Sequence, residues 1–412
     1  MRAMKDSGIE CVGDIPVDWS MRRLRFLCFI TTGNQDTQDN DPEGEYPFYV
    51  RSPIVERSHK YTFDGPAILM SGDGAGAGRI FHKVSGKYAC HQRVYSMQNI
   101  HDIDSAFLFY YLRELFPVTL EMANAKSTVD SVRLPMLQDF TVLLPSPAEQ
   151  QRIAAYLDEQ CGEIDKVLAK TRESIEEYKK LKQSVITEAV TKGIRPDRPM
   201  KDSGIEWIGD IPEEWEVRRL KYCAVLNPKC DFSHLPADAY VTFTPMELVG
   251  YGDYQNNAES LKKLSGAYTP FQDGDIALAK VTPCFENGKI AIMTGLHSGV
   301  GFGSSELFVI RAVEINTKFL FYFLQNEGFK DVACSTMTGT GGLKRVSPDF
   351  VHNCPIAIPS LTEQQRIAAY LDEQCGEIDR LIAKKEQIIS ELEGYKKSLI
   401  YECVTGKREV AG

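Results

Sequence analysis

Two stretches of the chain carry apolar residues at alternating steps of four and three. From Leu157 the positions Cys161, Ile164, Leu168, Thr171, Ile175, Tyr178, Lys182, Val185 and Ala189 follow this spacing. It is the period of a helix whose seam packs against another helix. Leu371, Cys375, Ile378, Ile382, Lys385, Ile389, Leu392, Lys396, Leu399 and Cys403 repeat it. The spacing predicts two helices of matching length, the first over 149–191, packed seam to seam. Gly162 and Gly376 weaken each helix early, by about 1 kcal/mol relative to Ala, and mark the place for a kink.

The remaining sequence has a different rhythm. Short strand-like runs at 67–70 and 276–279 alternate with Gly-rich turns, and each stretch holds one amphipathic helical run, 106–116 and 318–329. The expected class is α+β.

An internal repeat organises these pieces. MKDSGIECVGDIPVDWSMRRL at 4–24 returns as MKDSGIEWIGDIPEEWEVRRL at 200–220, an offset of 196, and EQQRIAAYLDEQCGEID at 149–165 returns unchanged at 363–379, an offset of 214. Each half is therefore an opening motif, a divergent globular stretch and a shared helix, as repeat architectures require. The expected parts are 1–143, the first globular domain with its opening motif, and 144–195, the first helical spacer. The second opening motif and domain follow at 196–357, then the second spacer at 358–412. The first helix leaves domain one and delivers the chain to domain two. A second helix paired with it most simply runs back, which gives an antiparallel coiled coil, a domain at each end and a pseudo-two-fold axis. A helix over 149–191 is about 65 Å long, which caps the separation of the domains at that length.

Charge changes the picture once it is divided along the chain. The formal net charge is -10, yet 20–143 and 216–357 each hold 13 Lys/Arg and 14 Asp/Glu, so the acid lies mainly outside them. A near-neutral domain can still present a basic face. The 11 cysteines are scattered with no CxxC pair, as free thiols of a cytoplasmic protein are. No signal peptide and no membrane span is expected, because 1–16 reaches a proline without an apolar core and no later run is long enough.

Enzymatic readings fare poorly. GDGAGAG at 72–78 lacks the GxGxxG spacing and a following GK[ST], so its glycines read as turn residues. No Walker loop, Asn-Pro-Pro-aromatic motif or nuclease acid cluster is present. Cys90 and His91 are adjacent on a strand-like run, where neighbouring side chains point to opposite faces.

The chain resembles the specificity subunits of type I restriction-modification systems. The resemblance rests on DSGIEWIGDIPEEWEVRRL, on DIALAKVTPCFENGKIA at 275–291, and on IPSLTEQQRIAAYLDEQCGEID before a long helix. It covers essentially the whole chain in the family's order. It implies two target-recognition domains that each read half of a split site in double-stranded DNA, with helices that set the spacer. Two methyltransferase subunits dock on such an assembly, and restriction/translocase subunits join for cleavage. S-adenosylmethionine, ATP and Mg would then sit on the partners, with no cofactor and no catalytic residue in this chain. Domain one departs from the CFENGK pattern, having ILMSGDGAGAGRIF at 68–81.

The best local signal for DNA contact is 74–101, which contains no acid but carries Arg79, Lys83, Lys87, His91 and Arg93 among aromatics. Basic groups hold phosphates, and Arg and His read base edges. Domain two offers Lys280 and Lys289 around TPCFENGK, and Lys344 and Arg345 in the acid-free 332–348; Lys126 and Arg133 hold the comparable place in domain one. For partner docking, the unchanged block supplies Glu149, Gln150, Gln151, Arg152, Asp158 and Glu159, with Glu363, Gln364, Gln365, Arg366, Asp372 and Glu373 as the second copy. A helix seam does not need these residues, whereas one surface used twice for one partner would. A coiled-coil protein adaptor without DNA specificity is the rival reading, but it leaves the paired divergent domains without a purpose.

Overall fold

The computed structural model describes residues 2–124, 131–264, 266, 268–340 and 342–411. The chain forms two compact units, Met1–Arg172 with Glu386–Gly412, and Glu173–Lys385. These differ from the sequential parts expected above, because each unit takes a portion of both long helices. A hydrophobic seam belongs to whatever globular surface it covers, so helix and domain condense together.

In the first unit the opening motif is a hairpin of Met4–Asp6 and Asp14–Pro16, followed by Ser20–Arg23, which pairs antiparallel with Thr141–Leu144. That pairing joins the two ends of the domain. Between them lie two four-stranded sheets. One has the spatial order Phe29–Thr32, Val94–Gln98, Ala67–Ser71, Phe81–Val84; the other has Glu56–Ser58, Tyr46–Tyr49, Lys87–Cys90, Phe63–Asp64. All five residues of Ala67–Ser71 are buried, as an apolar strand with one neighbour on each side and both faces covered should be. Helix α1, Ser105–Asn124, covers the sheet. Its Phe107, Tyr111 and Leu115 share one core with Ile153 and Leu157 and with Leu399 and Cys403.

The second unit repeats the plan. Glu216–Arg219 pairs with Pro355–Ile358, and the main sheet has the order Ala224–Leu226, Leu307–Ala312, Ile276–Ala279, Ile290–Ile292, Tyr251–Gly252. A second sheet runs Asn257–Ser260, Tyr240–Thr244, Val300–Gly303, Thr269–Gln272. The helical run expected over 318–329 is two helices, Thr317–Phe323 and Glu327–Ser335. Buried Asn326 makes the break by accepting the Phe329 N–H with its side chain, a cap that starts a new helix.

The predicted long helices are α2, Pro147–Lys192, and α3, Leu361–Val404, and both run unbroken through Gly162 and Gly376. They are antiparallel within each unit. In the first, Lys396 Nζ lies 2.6 Å from Asp165 and Arg172 reaches Glu393 at 2.5 Å. In the second, Lys182 Nζ lies 2.7 Å from Asp379 and the Lys385 ammonium sits over the Tyr178 ring at 5.6 Å. Rising numbers on α2 meet falling numbers on α3 in both cases. The α+β class and the antiparallel helix pair are thus observed. Among the described residues no helix is long and apolar enough to cross a membrane.

Candidate nucleic-acid interface

Each domain extends its buried central strand into a loop that captures another segment. After Ala67–Ser71, the Gly72 carbonyl accepts the Val132 N–H at 2.8 Å, the Gly72 N–H donates to the Arg93 carbonyl at 2.8 Å, and Asp73 bridges to Ser131. A Cβ on Gly72 would lie 2.8 Å from the Arg93 oxygen, so this approach requires glycine. After Ile276–Ala279, the Lys280 carbonyl accepts the Val346 N–H at 2.9 Å, the Thr282 N–H donates to the Lys344 carbonyl at 2.9 Å, and Val281 bridges to Arg345. The two crossings are equivalent. They bring cations that are distant in sequence to the same strand end.

In domain one Arg79, Arg93 and Arg133 gather around the 72–78 loop, all exposed. Arg51 joins them, a residue the sequence reading missed because it stands outside the acid-free stretch. Arg51 and Arg93 approach Asp73 at 3.3 and 3.7 Å, and Arg79 reaches Glu121 at 3.1 Å. Exposed pairs of this kind contribute little and exchange readily for a phosphate. A cleft of about 340 Å³ runs beside Arg51, Asp73 and Gly74. Lys83 lines a different cleft with Asp64 and Gln98, and the Lys87 ammonium lies over the Tyr61 ring at 4.8 Å. Lys126 lies outside the described residues.

His91 is a correction to the expected set. It is buried; its Nδ1 accepts the Arg93 N–H at 3.0 Å and its Nε2 lies 3.3 Å from Asp36. Held this way it shapes the backbone under Arg93 and forms part of the floor of the cleft beside Arg51 and Asp73. The neighbouring Cys90 is buried as well, which pushes its thiol up to about 12 and leaves no nucleophile.

In domain two Lys344 is exposed on a hairpin of Thr338–Thr340 and Leu343–Arg345 and has no side-chain partner among the described residues. Arg345 is held as a fork by Glu306 at 2.8 and 2.9 Å, and that guanidinium keeps the Glu306 carboxyl below its usual range. Lys280 is half-buried, its ammonium 5.6 Å from the centre of the Phe308 ring. Lys289 is half-buried, and its Nζ donates to the Met246 carbonyl at 2.8 Å, which braces the TPCFENGK loop.

The unchanged helical block divides in two. Glu149, Gln150, Glu363 and Gln364 are buried and engaged inside their own units, which corrects their assignment to a docking surface. Gln150 accepts the Asp104 N–H at 2.7 Å and donates to the Pro145 carbonyl at 2.9 Å; Gln364 does the same with Asn316 and Pro359. Asp158 and Asp372 each accept a tyrosine hydroxyl, from Tyr110 at 2.8 Å and Tyr322 at 2.9 Å. Burial and these carboxylates hold both phenols well above the usual range. Gln151, Arg152, Glu159, Gln365, Arg366 and Glu373 are exposed.

The profile of the type I restriction modification DNA specificity domain matches residues 16–177 and 212–393. The Escherichia coli EcoAI specificity subunit is 36% identical over 217 residues, which is 51% of this chain and 36% of that protein. The chain thus matches about a third of that relative's length. The EcoDI specificity subunit, also from Escherichia coli, is 24% identical over 96% of this chain and 90% of its own. A solved structure, described for complex assembly and conformational transition of a type I restriction-modification system, shares the fold with a TM-score of 0.69 at 16% identity. The match covers 96% of this chain and 99% of that one.

Proposed function

The chain belongs to the family of type I restriction modification DNA specificity domains, and on that premise we propose that it is the sequence-reading subunit of such a complex. It reads a bipartite site in double-stranded DNA, one half with each domain, and performs no chemistry itself. Two methyltransferase subunits and the restriction/translocase subunits dock on it, bringing S-adenosylmethionine, ATP and Mg.

One observation carries the reading. The family match falls on both halves of the chain, while the two equivalent strand ends run into unlike loops, GDGAGAG in one domain and TPCFENGK in the other, with the cations around them. A shared frame with unlike loops is what two readers of different half-sites need, since loops on a rigid scaffold carry specificity. Arg51, Arg79, Arg93 and Arg133 serve domain one, and Lys280, Lys344 and Arg345 serve domain two. The exposed Gln151, Arg152, Glu159, Gln365, Arg366 and Glu373 are the helix surface left for a protein partner.

The test is selection of duplexes from a random pool by the chain together with its methyltransferase subunits. Enrichment of two short motifs at a fixed separation is expected. Binding of the protein partners without any sequence preference would leave the adaptor reading in its place.

A further inference from the structure

The two opening motifs differ at one position whose consequences can be followed through the fold. Cys11 in domain one corresponds to Trp207 in domain two. The surrounding frame is otherwise closely matched. Trp19 meets Phe107 edge-on at 6.5 Å and 81°, and Trp215 meets Phe319 at the same 6.5 Å and 81°. Tyr110 donates to Asp158 as Tyr322 donates to Asp372. These landmarks put Tyr111 in register with Phe323.

In domain two the Trp207 indole lies against Phe323, ring centres 5.8 Å apart, and a Cβ on Gly328 would come within 2.6 Å of the ring. The domain fills this place with its own side chain. In domain one the corresponding place is an open apolar cleft of about 300 Å³, walled by Cys11, Tyr111, Leu115, Phe116, Leu120 and Phe140. Cys11 is half-buried, with its sulfur 4.0 Å from the Thr119 hydroxyl. A thiol stands where the twin carries an indole, and the volume that the ring would take is left empty.

We propose that this cleft in domain one is a binding site for one flat aromatic ring of indole size, supplied from outside the chain. These six walls are apolar and aromatic, while Thr119, Thr141 and Asp139, whose carboxylate is paired with Arg23, border the cleft with polar groups. Transferring a ring from water into such a place is favourable, and edge or offset contacts with Tyr111 and Phe116 orient it. In domain two Trp207 occupies the corresponding place, so this site takes one ring per chain.

Indole is the probe, and the full chain is titrated with it by calorimetry and by NMR. The wild-type chain should bind one equivalent. Cys11→Trp, which supplies the ring internally, should weaken binding by at least about tenfold, as loss of a whole buried ring contact does. Trp207→Cys should create a second site, so that the stoichiometry rises to two and indole restores part of the thermal stability lost by the substitution. N-acetyltryptophanamide is titrated in parallel. Its binding at the same site marks a seat for a partner's side chain, and its exclusion marks a pocket for a free ring. No binding of indole by the wild-type chain, or equal binding by Cys11→Trp, overturns the proposal. A folded Trp207→Cys chain that gains no site overturns the correspondence on which it rests.

Discussion

The Nε1 of Trp19 donates to a carboxylate oxygen of Glu149 at 3.1 Å, tying the opening motif to the first turn of α2. Arg2 closes on the same carboxylate at 2.5 Å. In the second unit Trp215 donates to Glu363 at 3.2 Å, and Arg198 closes at 2.6 Å. This knot explains why Glu149 and Glu363 are identical without invoking a partner. Each domain is fastened to its helix by a buried carboxylate shared between an indole and a guanidinium.

The two knots should differ in strength. Arg198 and Glu363 each have 9% of the side chain exposed, whereas Arg2 has 25%. Removing one partner of a buried pair leaves the other charge uncompensated, at about 3 to 5 kcal/mol. Glu363→Ala is expected to lie in that range by urea unfolding, and Glu149→Ala to cost less, because water reaches Arg2.

Burial pushes the Glu114 carboxyl up to about 7, against the downward pull of Lys397 and Arg113. A carboxyl whose pKa is raised on folding favours the folded state while it is protonated. That stability is fully present below the unfolded value of 4.5 and is lost as pH rises to about 7. Glu114→Gln keeps the neutral form at every pH. The variant should melt near the wild-type temperature at pH 4.5 and above it at pH 8, and an unchanged difference across that range would place the charge in water.

Arg345 is held by Glu306, while Lys344 is open to solvent. Lys344→Ala should lower the affinity for all duplexes and reduce the salt slope by about one unit if the ammonium holds a phosphate. Glu306→Gln should release Arg345 and raise non-specific affinity. Unchanged binding in both variants would remove this hairpin from the interface.

The helices were legible from their seams, but their ion pairs were not. Lys182 and Lys396 appear as polar interruptions of the apolar pattern, and the structure gives them Asp379 and Asp165, which lie off the seam and in the other helix. A period identifies a buried face; it does not name a partner across a fold. The same limit governs the site. The acid-free 74–101 stretch holds Arg79 and Arg93, which gather at the strand end, and also His91, which turns inward. Composition does not distinguish them, because the turn that carries His91 and Arg93 buries one side chain and exposes the other. Arg51 and Glu306 carried no local signal, since each matters only through the residue that the sheet brings beside it. Glu149 and Gln150 look like surface because a seam does not need them, yet Glu149 takes the Trp19 N–H of the opening motif and Gln150 the Asp104 N–H.

Both long helices pass through both units, so their length is open to a direct change. Inserting one heptad after Ile175 and one after Ile389 keeps each seam in phase and adds about 10 Å of helix, at most about three base pairs of rise. The preferred spacer should lengthen by about one to three base pairs, with the bases read in each half unchanged. An active double insertion that keeps its original spacer would show that the helices do not set the distance.

The central claim is that the two domains are separate readers of one split site. Genome-wide mapping of methylated adenines tests it most directly, in cells that express the chain with its methyltransferase subunits. Residues 20–143 are exchanged for those of a relative that reads a different site. One half of the methylated sequence should change, while the other half and the spacer stay as they were. An active exchange that alters both halves, or neither, would contradict the account.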